Sequence, residues 1–171
     1  MTIFNSLGSN YDLKFALKAL FALNSKSHKE KLINFLEKKY EGRAILVYKG
    51  REAIGLALEM LKLPKDSFVA INGFTCYAVY KAIHNEGYET ELLDLDKPSL
   101  LNFSAETLVK SLKKKPKIKV VIIQNTLGNP CDIEKIAKIC KEKNLILIED
   151  LAHSVGTIYK NGKEAGTVGD F

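Results

Sequence analysis

Two largely apolar runs constrain this chain more than any other feature: "IKVVIIQ", residues 118–124, and "LILIED", residues 145–150. A strand with one wet face alternates apolar and polar residues, whereas a strand covered on both faces reads as a continuous run. Between the two runs stands "DIEKIAKICKEK", whose apolar residues recur at helical spacing. The same alternation of strand and helix extends upstream. "AILVY" reads as a strand followed by the helix "REAIGLALEMLK", "FVAIN" leads to "CYAVYKAIHNE", and "TELLDL" leads to "SAETLVKSLKKK". The expected fold is α/β, a mostly parallel sheet flanked by helices. "IYKNGKEAG", with Asn161-Gly162 at its centre, predicts a small hairpin beside that sheet. Residues 1–42 predict a helical segment ahead of an α/β core over residues 43–171. "YDLKFALKALFAL" places Leu13, Leu17, Leu20 and Phe21 on one helical face, and "SHKEKLINFLEKKY" opens with Ser27 and Glu30 at capping-box spacing.

Composition narrows the function classes. A hydrophobic share of 46% in 171 residues supports one ordinary core. No apolar run reaches the about 18 residues that a membrane span needs, so no membrane partner is expected. The N-terminus lacks the basic and apolar regions of a secretory leader. Cys76, Cys131 and Cys140 are odd in number and lack metal spacing, so they predict reduced thiols in the cytoplasm. The net charge of +6 is densest in "KSLKKKPKIKV". Clustered lysines can release counterions from phosphates, but no aromatics are interleaved to stack on single strands. A solvated helix end explains the cluster better than a nucleic-acid partner does.

In open parallel sheets, ligands sit beyond the carboxyl ends of the strands. Those ends here carry "YKGREA", "NGFTCY", "QNTLGNP" and "EDLAH". Gly50 permits a tight turn straight into a helix, whose first N–H groups and dipole suit an anion such as phosphate. Plain turn chemistry would explain that glycine equally well. In "ILIEDLAHSVG" a strand delivers Asp150 and His153 to one loop, while Glu149 should point to the opposite face. Asp150 could also serve as a simple cap, and His153 could close a loop. The nucleotide-binding glycine patterns, the hydrolase nucleophile elbow and the paired histidines of zinc proteases are all absent. His28 and His84 lie in helical sequence and predict surface or packing roles.

Three blocks, "GREAIGLALEML", "INGFTCYAVYKAIHNEGYETELLDLD" and "IIQNTLGNPCDIEKIAKICKEKNLILIEDLAHSVGTIYKNGKEAGTVGDF", stand in an order that resembles the DegT/StrS family of pyridoxal-phosphate-dependent sugar aminotransferases. The resemblance covers roughly Arg43 to Phe171. It implies the large domain of the aspartate aminotransferase-like (type I) fold and pyridoxal 5'-phosphate (PLP) as cofactor. It also implies a homodimer and transfer of an amino group from glutamate or a similar donor to a keto-sugar nucleotide. Asp150 takes the place of the family's aspartate on the pyridine nitrogen, where a carboxylate keeps the ring protonated and a better electron sink. His153 falls near the cofactor's phenolic oxygen. Gly50, Arg51 and Glu52 stand at the phosphate turn in place of the usual S-G-T-A, with Arg51 able to add a bidentate contact and Glu52 turned outward. Cys76 occupies the ring-stacking position, although Tyr77 beside it offers the better surface unless it packs between helices. Asn125 matches a polar position facing the substrate pocket.

The lysine that carries the cofactor in the family follows G-T-x-G-D-F, which places it beyond Phe171. Lys160 and Lys163 belong to the hairpin and do not match its motif. A truncated large domain without the small C-terminal domain is therefore expected. Two further readings stay open: a PLP-dependent sugar dehydratase of the same family, and a non-catalytic binding module. Apolar residues in "MTIFNSLGSNY" predict an arm or interface segment.

Overall fold

The computed structural model describes residues 12–21, 26–96 and 101–171. It divides into two units, Met1–Ile45 and Leu46–Phe171. In the first unit, helix α1 (Leu13–Leu20) is capped by Asp12, whose Oδ1 accepts a hydrogen bond from Phe15 N at 2.6 Å. Helix α2 (Lys26–Tyr40) follows. Ser27 lies inside α2 and not at its cap, so the expected capping box with Glu30 does not form. Leu13, Leu17, Leu20 and Phe21 are exposed, and neither helix buries a side chain. The segment "MTIFNSLGSNY" lies outside the described residues.

The second unit contains α3 (Gly50–Leu61), β1 (Phe68–Asn72), α4 (Tyr77–Asn85) and β2 (Glu89–Leu93). Helix α5 (Ala105–Lys114), β3 (Ile118–Ile123), α6 (Ile133–Glu142) and β4 (Ile146–Glu149) complete it. The four strands form one sheet in the order β2-β1-β3-β4, and every neighbouring pair is parallel. "AILVY" is not a strand. Ile45, Leu46 and Val47 are exposed and lie in irregular chain, because no described strand offers them a ladder. β-Propensity alone does not make a strand without a neighbour. The hairpin is reduced to a turn with one antiparallel bridge, Ile158 to Glu164, closed by Tyr159 N on Lys163 O at 2.8 Å.

The continuous apolar runs have the cause inferred from them. Along β3, Val120 and Ile122 join a core with α3 and α4, through Ile54, Leu58, Val79 and Ile83. Val121 and Ile123 point to the other face and join Leu108 of α5 with Ile133 and Ile136 of α6. Both faces are buried, so neither tolerates a polar side chain. Each fully buried Ile or Leu stabilises the fold by about 1.5–3 kcal/mol, and Ile122→Ala would cost about 2–5 kcal/mol. Among the described residues no helix is long and apolar enough to cross a membrane.

Candidate active site at the carboxyl ends of the strands

Strand alternation decides which side chains meet at the top of the sheet. Ile123 pairs with Glu149 across β3 and β4, and the ladder continues one step as Asp150 N donates to Ile123 O at 2.7 Å. Gln124 and Asp150 are therefore cross-strand neighbours. They share the face of Ile122 and Ile148, the face that α3 and α4 cover. Asp150 Oδ2 accepts from Gln124 Nε2 at 3.2 Å, and Oδ1 accepts from Ala152 N at 3.0 Å. Among the described residues no cationic side chain lies within ion-pair distance of Asp150. Asp150 is thus oriented by two donors and remains without a counter-charge.

The same face carries the starts of two helices. Gly50 opens α3 after Lys49, which supplies no side-chain cap. Glu52 N and Ala53 N both donate to Lys49 O, at 2.9 and 3.2 Å. Helix geometry leaves the N–H groups of Gly50 and Arg51 without intrahelical acceptors. A Cβ added at Gly50 would meet nothing within 4 Å, so the approach to these groups is open. Arg51 and Glu52 are exposed in this first turn. Cys76 sits at the N-cap of α4 with its thiol exposed and no capping bond. Tyr77 is 70% exposed and stacks on Tyr80 of its own helix, with centroids 5.7 Å apart, so one ring surface is presented outward. His153 is exposed in the turn after Asp150.

Asn125 is fully buried. Its Nδ2 donates to Tyr159 Oη at 2.7 Å and its Oδ1 accepts from Cys131 N at 2.9 Å. Its backbone is left-handed, with φ 46° and ψ 59°, a conformation that asparagine tolerates better than most residues. Tyr159 Oη in turn donates a hydrogen bond to Glu149 Oε2 at 2.6 Å. Glu149 does point away from Asp150, yet into the protein. Besides Tyr159 it accepts from the backbone N–H groups of Gly166 (3.0 Å), Val168 (2.8 Å) and Gly169 (2.6 Å). Burial, and then the bond to Glu149, push the Tyr159 phenol well above its ordinary range. Sequence reasoning missed Gln124, Glu149 and Tyr159. The only signal for Gln124 was an amide closing an otherwise apolar strand.

The residues fit a ligand with an anion at one end and a protonated ring nitrogen at the other. Asp150 lacks a cation, and the α3 N-terminus lacks acceptors. Two buried oxygens, Gln124 Oε1 and Thr75 Oγ1, have no hydrogen-bond partner. PLP would offer the anion and the ring nitrogen that the α3 N-terminus and Asp150 suit. Among the described residues no cluster of His, Cys, Asp and Glu could hold a metal ion.

Comparison with known proteins points to one family. The model of the DegT/DnrJ/EryC1/StrS aminotransferase family matches residues 23–171. GDP-perosamine synthase from Escherichia coli O157:H7 is 33% identical over 138 residues, covering 80% of this chain and 36% of that protein. GDP-4-keto-6-deoxy-D-mannose 3-dehydratase from Yersinia pseudotuberculosis is 31% identical over 108 residues, 63% of this chain and 26% of that one. The crystal structure of the aminotransferase TlmJ from Streptoalloteichus hindustanus superposes with a TM-score of 0.77 at 25% identity, covering 91% of this chain and 42% of TlmJ. The chain spans about a third of the length of such curated relatives. It belongs to the DegT/DnrJ/EryC1/StrS aminotransferase family, a PLP-dependent lineage.

Proposed function

We propose that this chain supplies the cofactor-binding part of an aminotransferase that moves an amino group from glutamate, or a similar donor, to a keto-sugar nucleotide. The observation that carries the reading is Asp150, a carboxylate aimed by two donors and left without a cation at the end of β4. When bound, PLP supplies the electron sink that lets an amino group leave one carbon and join another. Asp150 would hold the proton on its ring nitrogen. The N–H groups of Gly50 and Arg51, with the Arg51 guanidinium, would hold its phosphate. Glu52 turns to solvent, and Tyr77, Cys76 and His153 would bind the ring. Asn125 acts one layer below, fixing the loop between β3 and α6. The working form is a homodimer, which light scattering at micromolar concentration would test.

The decisive experiment incubates a full-length protein that carries this chain with PLP, glutamate and GDP-4-keto-6-deoxymannose. Glutamate-dependent 2-oxoglutarate and an amino-sugar nucleotide are expected in equal amounts. Absence of both products ends the aminotransferase reading. The identity to a sugar 3-dehydratase supports a second reading. Its sign would be loss of a sugar hydroxyl with no amino group retained in the sugar.

A further inference from the structure

We propose that Gln124 is a positioning residue, which holds the Asp150 carboxylate in the orientation that receives a protonated ring nitrogen; the proposal rests on the cofactor reading above. Gln124 directly follows β3 and is only 6% exposed. It closes the run "IKVVII", every residue of which except Lys119 is buried. An apolar side chain there would fill the same space at no polar cost. The amide instead makes one side-chain hydrogen bond, from Nε2 to Asp150 Oδ2 at 3.2 Å, and leaves Oε1 buried without a partner. Turning the amide over would set Oε1 against a carboxylate oxygen, so Asp150 dictates which way the amide faces. A buried acceptor without a partner is costly, and the bond to Asp150 is the one interaction that offsets it.

A carboxylate offers about four lone-pair directions. Gln124 and Ala152 N occupy one on each oxygen of Asp150. Rotation about the terminal torsion, broad in a free aspartate, is thereby stopped, and the remaining directions point where a ring N–H would arrive. Gln124 touches no reacting atom in this arrangement. Its whole effect passes through Asp150.

The test is a double-mutant cycle on PLP affinity, read by fluorescence titration of the protein with PLP. Benzyl phosphate, which has the anion but no ring nitrogen, serves as the control ligand. Gln124→Leu should weaken PLP binding about tenfold, the size of one hydrogen bond to a charged group. In an Asp150→Asn background the same change should weaken it less than twofold, and benzyl phosphate binding should not change in either. Gln124→Met keeps the unbranched shape without a donor and replaces Gln124→Leu if that variant does not fold. Losses that simply add, or an equal loss for benzyl phosphate, overturn the proposal. A wild-type protein that does not take up PLP overturns the cofactor reading and this inference with it. Binding with additive losses overturns the inference alone.

Discussion

Replacing Glu149 by glutamine changes one atom of the side chain at the busiest acceptor in the fold. Each carboxylate oxygen takes two donors: Oε1 from Val168 N and Gly169 N, Oε2 from Gly166 N and Tyr159 Oη. Glutamine keeps one acceptor oxygen and sets an NH2 group against the other pair of donors. The better choice places the NH2 toward Tyr159, since a hydroxyl can rotate and accept. Gly166 N is then left without its acceptor, at about 1–3 kcal/mol. The three surviving bonds lose their charge assistance, which is worth up to about 1 kcal/mol each. Removal of a 93% buried charge returns part of this. The expected net loss is about 2–4 kcal/mol. Urea denaturation followed by far-ultraviolet circular dichroism would measure it, with Tyr159→Phe as the companion. Tyr159→Phe removes one of the four donors and orphans Asn125 Nδ2, so its loss should be smaller, about 1–3 kcal/mol. A loss below about 1 kcal/mol for Glu149→Gln would show that the loop over residues 166–169 does not depend on this acceptor.

Other outcomes follow from the same structure. Asp150→Asn should lower turnover in the proposed reaction at least about a hundredfold while moving the urea midpoint little, because asparagine can still cap Ala152 N; His153→Ala should be milder, and near-normal turnover in Asp150→Asn would reduce that residue to a cap. Gly169→Ala brings a Cβ to 2.9 Å from Leu147 O and 3.0 Å from Glu149 Cγ, so thermal melting should register a loss of about 1–3 kcal/mol. Burial pushes the Cys131 thiol, further raised by the Glu149 charge, up to about 12, and burial likewise pushes Cys140 up to about 12. Brief alkylation at neutral pH, counted by mass spectrometry, should therefore mark Cys76 alone. An unfolded thiol titrates near about 8.5, so the unfolded chain sheds these protons first. Both thiols should then make stability fall as pH rises from about 8.5 toward 12, and Cys131→Ala with Cys140→Ala should flatten that slope.

Reading the layers from sequence worked where one physical cause dominates. Residues 118–123 and 146–149 were legible as strands covered on both sides, because burial on both faces is the usual setting of such runs. "AILVY" carries the same kind of residues and forms no strand. A ladder needs a neighbour, and the neighbour is a property of the fold and not of the run. At the site, the place of Asp150 at the end of β4 was legible because it directly follows an apolar run. The hydrogen bonds of Asn125 were not legible, because its partners, Tyr159 Oη and Cys131 N, are 34 and 6 residues away and leave no local trace. Gln124 and Glu149 were hidden for the same reason. What a polar side chain does at a strand end depends on which face it turns to, and that is settled by register.

The register of β4 thus sorts two chemically similar carboxylates into unlike work. Glu149 faces Tyr159 and the backbone of residues 166–169, whereas Asp150 faces Gln124. A slip of one residue along β3 would exchange them. The longer acid would then stand beside Gln124, and the shorter one would fall a methylene short of the backbone amides it must reach. The pair "ED" is therefore not interchangeable with "DE". A single-residue insertion or deletion within Ile146–Glu149 should do more harm than replacing either acid, since it removes the loop's anchor and the carboxylate beside Gln124 in one event.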